Sequence, residues 1–192
     1  KNEILSMTPQ PQLDIKWYIE LDKYTNMNRE KMEKTNLWSE FQMAKANIMK
    51  YALEHETDTL FLDSDIIITN KISDIDISKE LGVSPQYIKQ YHLEKTGIYN
   101  GGMLWTNNKE VPNDWIKFTK TSRYYDQASI EDLVSKYEHF KFGENYNIQC
   151  WRYYLSDESK ETIAKHITSI PNDTIYYKNQ PIKFVHTHFI DK

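Results

Sequence analysis

A single cysteine, Cys150, among 192 residues excludes an intrachain disulfide and favours a reducing compartment, so the chain is expected in the cytoplasm. No run of 18 apolar residues occurs, and nothing in the sequence is built to span a bilayer. There is no Gly-rich phosphate loop of the Walker type, no internal repeat, no low-complexity tract and no linker. Neither sign of charge dominates: 28 acidic against 24 basic residues give a net charge of −4, which argues against a surface built for nucleic acid. A mean hydropathy of −0.75 lies on the polar side, yet 23.0 kDa is enough to bury a core, and a single domain over residues 1–192 is expected. The sequence begins at Lys1 without a methionine and shows no signal peptide, so a piece of a larger protein is an open alternative.

What is present centres on Asp63-Ser64-Asp65, which closes the apolar run Thr59-Leu60-Phe61-Leu62 and precedes Ile66-Ile67-Ile68. In an extended chain residues i and i+2 point to the same side, so both carboxylates can face one ion while Ser64 faces away. Carboxylates are hard oxygen donors suited to Mg²⁺ or Mn²⁺, ions that keep positions open for phosphate oxygens. That chemistry points to a nucleotide or nucleotide-sugar substrate. Asp74-Ile75-Asp76 has the same spacing but follows the polar Thr69-Asn70-Lys71 and reads as loop. The first pair instead stands at the carboxyl end of an apolar run, where open α/β sheets bind ligands.

Periodicity places the surrounding elements. Ile15, Trp17, Ile19 and Leu21 alternate with polar residues from Asp14 to Asp22, the pattern of a half-buried strand, after a Pro-bearing lead-in from Lys1 to Leu13. Leu37, Phe41, Ala44, Ile48 and Ala52 recur at helical spacing between Asn36 and Glu56. A helix feeding the Thr59–Leu62 strand makes a β-α-β unit and predicts a parallel sheet. Further along, Leu81–Pro85 predicts a short strand, Tyr87–Lys95 is irregular, and Tyr99–Asn107 combines a Gly-rich bend with a strand. Helices are expected over Asp114–Thr121 and Gln127–Lys136, and a last strand over Lys183–His186.

Other residues carry weaker signals. His186 and His188 follow the last strand, and a neutral imidazole nitrogen suits Mn²⁺ beside two carboxylates; His186 is preferred as the nearer to the strand end. Lys45 interrupts an apolar stripe, so its ammonium must reach water or meet an anion such as a diphosphate. Arg123 and Lys120 are further candidate cations. Asn100-Gly101-Gly102 is either a tight turn or a place where the backbone approaches a ligand while Asn100 bonds sugar hydroxyls. Asp126-Gln127 could cap a helix, and Glu144-Asn145-Tyr146-Asn147 suits a sugar site and a surface loop equally.

In order along the chain, the helix ending near Tyr51, Leu60–Asp65, Tyr99–Gly102, Asp126-Gln127, Asn145–Asn147 and Phe184–His186 resemble the GT-A class of metal-dependent glycosyltransferases, especially retaining families and the compact domains encoded by some large DNA viruses. The resemblance covers roughly residues 14–190. It implies a Rossmann-like α/β fold with a mixed, mostly parallel central sheet flanked by helices. It further implies Mn²⁺ (or Mg²⁺) on Asp63, Asp65 and His186, donor contacts from Lys45, Ser64, Asn100, Gly101, Gly102 and Asn147, and Asp126 and Gln127 at the reacting sugar. The expected partners are a nucleotide-sugar donor, read as a UDP-sugar, and a glycan or other hydroxyl acceptor; a viral origin would place it in host cytoplasm. That class usually opens with a strand that binds the base, here absent or shortened before Asp14. A metal-dependent nucleotidyltransferase or phosphohydrolase, or a non-catalytic sugar-binding module, would share some of these features.

Overall fold

The structure, a computed structural model, describes residues 16, 18–19, 21–170 and 174–187. In chain order its strands are β1 (Thr59–Leu62), β2 (Ile66–Ile68), β3 (Leu81–Pro85), β4 (Tyr99–Thr106), β5 (His139–Lys141), β6 (Ile148–Gln149), β7 (Ile167–Ile170), β8 (Thr174–Tyr177), β9 (Gln180–Pro181) and β10 (Phe184–His186). The α-helices are α1 (Arg29–Lys34), α2 (Trp38–His55), α3 (Gln90–Thr96), α4 (Glu110–Thr119), α5 (Tyr125–Ala128), α6 (Ile130–Lys136), α7 (Arg152–Leu155) and α8 (Lys160–Lys165).

β4 is the axis of the main sheet, whose order is β1-β4-β3-β5, and all eight of its residues are buried. Burial on both faces follows from its side chains. Leu104 packs with Ala46 and Met49 of α2, Val111 and Trp115 of α4, and Ile130 and Leu133 of α6. Met103 and Trp105 point the other way, into Phe142, Tyr146 and Phe184. Each such side chain, fully buried, contributes about 1.5–3 kcal/mol from the removal of apolar surface from water. A second sheet, β2-β10-β6, and a third, β7-β8-β9, complete the mixed α/β architecture.

The α/β class and mixed sheets agree with the sequence, but the pairing sense does not. β1–β4, β3–β4, β2–β10, β7–β8 and β8–β9 are antiparallel, and only β3–β5 and β6–β10 are parallel among the described residues. The expected parallel sheet rested on a strand before α2. Leu21 and Asp22 instead lie in a 3₁₀ turn, Leu21–Tyr24, and Lys16, Tyr18 and Ile19 have no regular structure. Ile19 is exposed, which an inward-facing strand residue could not be. The rest of that strand and the lead-in before it fall outside the described residues.

Three further corrections are local. The buried face of α2 is Met43, Ala46, Met49 and Leu53, not the Phe41, Ala44, Ile48 and Ala52 stripe, and Ile48 is exposed. Methionine fills irregular core gaps as well as branched residues do, so two apolar stripes competed for one helix. Gln90–Thr96 is helical rather than irregular. The helix predicted from Gln127 to Lys136 is broken at Ser129 into α5 and α6, where the Ser129 hydroxyl bonds the Asp126 carbonyl at 2.7 Å instead of leaving the backbone to continue.

Candidate metal centre

Asp63 leaves β1 with its N–H bonded to the Gly102 carbonyl at 2.8 Å, and Ile66 then donates to the Asp63 carbonyl at 3.1 Å. These bonds close a tight turn through Ser64 and Asp65, so the two carboxylates are gathered by a turn and not by strand alternation. β2 leaves that turn and pairs antiparallel with β10, placing His186 opposite Ile66. Thr187 bonds the Asp65 carbonyl through both its N–H and its hydroxyl, at 2.9 and 2.8 Å, and locks the last strand to the acidic turn.

Two segments 121 residues apart in sequence thereby meet: His186 Nε2 lies 3.1 Å from Asp65 Oδ1 and 4.0 Å from Asp63 Oδ2. One ligand atom from each of Asp63, Asp65 and His186 lies within 4.8 Å of the others. The imidazole is buried and stands edge-on to the Trp151 ring at 4.8 Å, which fixes its plane. Two carboxylate oxygens and one imidazole nitrogen form a mixed donor set that could hold a metal ion. Ser64 sits on the exposed tip of the turn.

The glycines of β4 make this convergence possible. A Cβ on Gly102 would stand 2.4 Å from His186 Cε1 and 2.6 Å from Asp63 Oδ2; one on Gly101 would stand 2.8 Å from Asp126 Oδ2. Asn100-Gly101-Gly102 is therefore no bend, since β4 runs through it unbroken. It is a stretch of bare backbone against which the carboxylates and the imidazole close.

Lys45, from α2, projects into the same place. Its Nζ lies 3.1 Å from Asp63 Oδ1, 3.1 Å from Asp126 Oδ2 and 3.2 Å from the Gly101 carbonyl. Burial opposes its charge, but Asp126 and Asp63 outweigh burial and hold its pKa above the ordinary lysine value. Burial pushes the Asp126 carboxyl up, against the pull of Lys45 and with the repulsion of Asp63. Asp126 is almost wholly buried and lies inside α5, whose N-cap is Tyr124, while Ser129 is the N-cap of α6, so Asp126 caps neither helix. It is aimed inward by Tyr125, whose φ of 44° is rare for a bulky residue, and its carbonyl accepts from the Trp115 indole at 2.8 Å.

Gln127 is committed to the backbone: its Nε2 donates to the Thr96 carbonyl at 3.0 Å and its Oε1 accepts from Gly101 N–H at 3.4 Å. Asn100 and Asn147 meet, Asn147 Nδ2 donating to Asn100 Oδ1 at 3.1 Å and to Ser84 Oγ at 2.9 Å, while Asn100 Oδ1 also accepts from Gly102 N–H at 3.1 Å. Arg123 is not at the centre. It forms a two-pronged pair with Glu131, at 2.7 and 2.8 Å, and donates to the Glu94 carbonyl. His188 lies outside the described residues. A cavity of about 410 Å³ is lined by residues of β1 and α2 as far as Leu62, next to Asp63.

No family model matches the chain. A solved galactosyltransferase, LgtC, in complex with donor and acceptor sugar analogs, is 18% identical with a TM-score of 0.48, the alignment covering 74% of this chain and 57% of that one. Mouse xyloside xylosyltransferase 1, in its apo form, is 11% identical with a TM-score of 0.41, covering 86% of this chain and 70% of that one. The chain thus spans little more than half the length of the first of these. No helix among the described residues is long and apolar enough to cross a membrane.

Proposed function

We propose that the chain is a GT-A type glycosyltransferase, one domain over residues 1–192, that moves a hexose from a nucleoside-diphosphate sugar, read as a UDP-sugar, to a hydroxyl of a glycan or other acceptor, with retention at the anomeric carbon. The observation that carries this reading is the meeting of Asp63, Asp65 and His186 beside the buried Lys45–Asp126 pair. The three ligands would hold Mn²⁺ or Mg²⁺, and such an ion supplies Lewis-acid stabilisation of the departing diphosphate.

The chain's own groups do the remainder. Lys45 presents a fixed ammonium in a water-poor place, where it favours the negative charge growing on the leaving phosphate more than the ground state. Asp126 places a carboxylate 3.1 Å from that ammonium, and its charge favours the cationic character that develops at the anomeric carbon. Asn100 and Asn147, with the bare backbone of Gly101 and Gly102, form the wall on which sugar hydroxyls are read, and Ser64 stands at the tip of the acidic turn towards the diphosphate. Gln127, tied to Thr96 and Gly101, orients this wall. A phosphohydrolase or nucleotidyltransferase needs the metal ligands but not a buried Lys-Asp pair beside them, and that pair favours sugar transfer.

The test is incubation with Mn²⁺ and a panel of nucleotide sugars. Release of nucleoside diphosphate from one donor, lost on chelation and in Asp65→Asn, is the expected result. Phosphate release from plain nucleotides would move the assignment to the hydrolase class, and no reaction with either would leave a binding module.

A further inference from the structure

β1 is an outer strand of the main sheet, and one of its long sides is unpaired among the described residues. The register decides which groups that side carries. Asp63 N–H bonds the Gly102 carbonyl at 2.8 Å, so the alternate residues Phe61 and Thr59 also turn their backbone groups to β4. Leu60 and Leu62 therefore point their N–H and carbonyl groups away from β4, and these have no hydrogen-bond partner among the described residues. They open onto the cavity of about 410 Å³, which all of β1 lines. Ile48, Met49 and Ala52 of α2 add apolar lining. Lys16 and Tyr18 line it too, tied to α2 by the Lys16–Glu56 ion pair at 3.5 Å and by the Tyr18 ring, 4.9 Å from that of Tyr51. An unpaired strand edge beside an apolar trough is the pattern that takes up an added strand: the main chain supplies hydrogen bonds and alternate side chains fill the trough.

We propose that this slot is filled by the chain's own amino-terminal segment, residues 4–7, added to β1 as a further strand of the main sheet. Length and position select it. The residues before Lys16 lie outside the described residues, and Lys16 itself lines the slot, so that segment joins the fold where the slot is. Extended, its fifteen residues reach about 50 Å, against about 13 Å for β1, which is ample to double back. Residues 12–15 run straight into Lys16, and Pro9 and Pro11 lack the N–H that a paired strand needs. The stretch able to return is therefore Ile4-Leu5-Ser6-Met7, as long as β1 itself. In an extended chain Leu5 and Met7 fall on one side and offer apolar cover to Ile48, which α2 leaves exposed in the slot. Lys16 and Glu56 pair with each other, so the lining selects neither sign of charge and suits such side chains.

The inference stands apart from the transfer reading, because it involves neither a metal nor a nucleotide. The test is NMR of the whole chain without ligands, read by amide hydrogen exchange and by nuclear Overhauser contacts. The Phe61 and Asp63 amides, turned to β4, are the internal control for a formed sheet. The Leu60 and Leu62 amides are expected to exchange on the order of a hundredfold slower than in an unstructured peptide, and Leu5→Asp, which sets a charge against the apolar lining, should return both to within about tenfold while Phe61 and Asp63 stay protected. Leu5→Ile should keep the protection. Cross-strand Overhauser contacts from residues 4–7 to Leu60 and Leu62 are expected in the wild type, a readout that does not depend on how the variant folds. Free exchange of Leu60 and Leu62 in the wild type, or the lack of those contacts, would overturn the proposal. So would slow exchange that Leu5→Asp leaves unchanged, the mark of another occupant, or that fades on dilution, the mark of a second copy.

Discussion

Lys45 is held between two carboxylates in a place nearly closed to water, so its removal leaves Asp126 buried without its cation. Breaking such a pair from one side costs about 3–5 kcal/mol, whereas replacing both partners by apolar groups of similar size is close to neutral. Lys45→Met should therefore lower unfolding stability in urea by about that amount, and Lys45→Met with Asp126→Leu should recover most of it. A single variant as stable as the wild type would show the pair to be slack. Gly102→Ala places a methyl on His186 and Asp63, and at least tenfold weaker Mn²⁺ binding is expected by electron paramagnetic resonance; unchanged affinity would mean that the imidazole is not where the close approach puts it. Asp63 is legible in the sequence because it closes an apolar run, whereas the stripe that Lys45 interrupts is not the buried face of α2. The left-handed Tyr125 is not legible: nothing in Tyr124-Tyr125 marks a positive φ.

At the scale of elements, α2 offers a direct contrast between two stripes. Met49→Ala removes a fully buried side chain and should cost about 2–5 kcal/mol, while the exposed Ile48→Ala should fall within about 0.5 kcal/mol, both read from denaturant midpoints. Near-equal losses would restore the stripe that periodicity alone favours. Helical spacing is legible in the sequence, but which of two apolar faces is buried depends on the α4 surface it meets, information that lies far from residues 38–55. α6 is tied to the end of α3 by Arg123 and by the Ile98 N–H, both bonded to Glu131. The Arg123 bonds hold the Glu131 carboxyl below the ordinary glutamate value of 4.5, assisted by Ile98 and against partial burial. A depressed carboxyl stabilises the fold above its unfolded pKa, and that contribution is lost as pH falls from 4.5 through the lower folded value. The melting temperature should drop across that window in the wild type and less steeply in Glu131→Gln; parallel curves would remove Glu131 from the account.

For the whole molecule, the second sheet matters because it brings the C-terminal strand to the acidic turn. β10 lies between β2 and β6, so Asp65 and His186, 121 residues apart, meet only in the finished fold. The residues of the Asp63, Asp65 and His186 cluster and their order are legible in the sequence, whereas the antiparallel pairing that joins them is not, since no short-range pattern tells a three-residue strand which distant partner to take. Binding of a metal to the folded state alone must then stabilise the whole fold, by about 2.7 kcal/mol at a hundredfold excess over its dissociation constant. That gain should be absent in Asp65→Asn and in His186→Ala.

The most direct measurement is an anomalous difference map, at the manganese edge, from crystals soaked in Mn²⁺. The account predicts a peak within bonding distance of Asp63, Asp65 and His186. A map with no peak there, or with manganese bound only elsewhere, would contradict it.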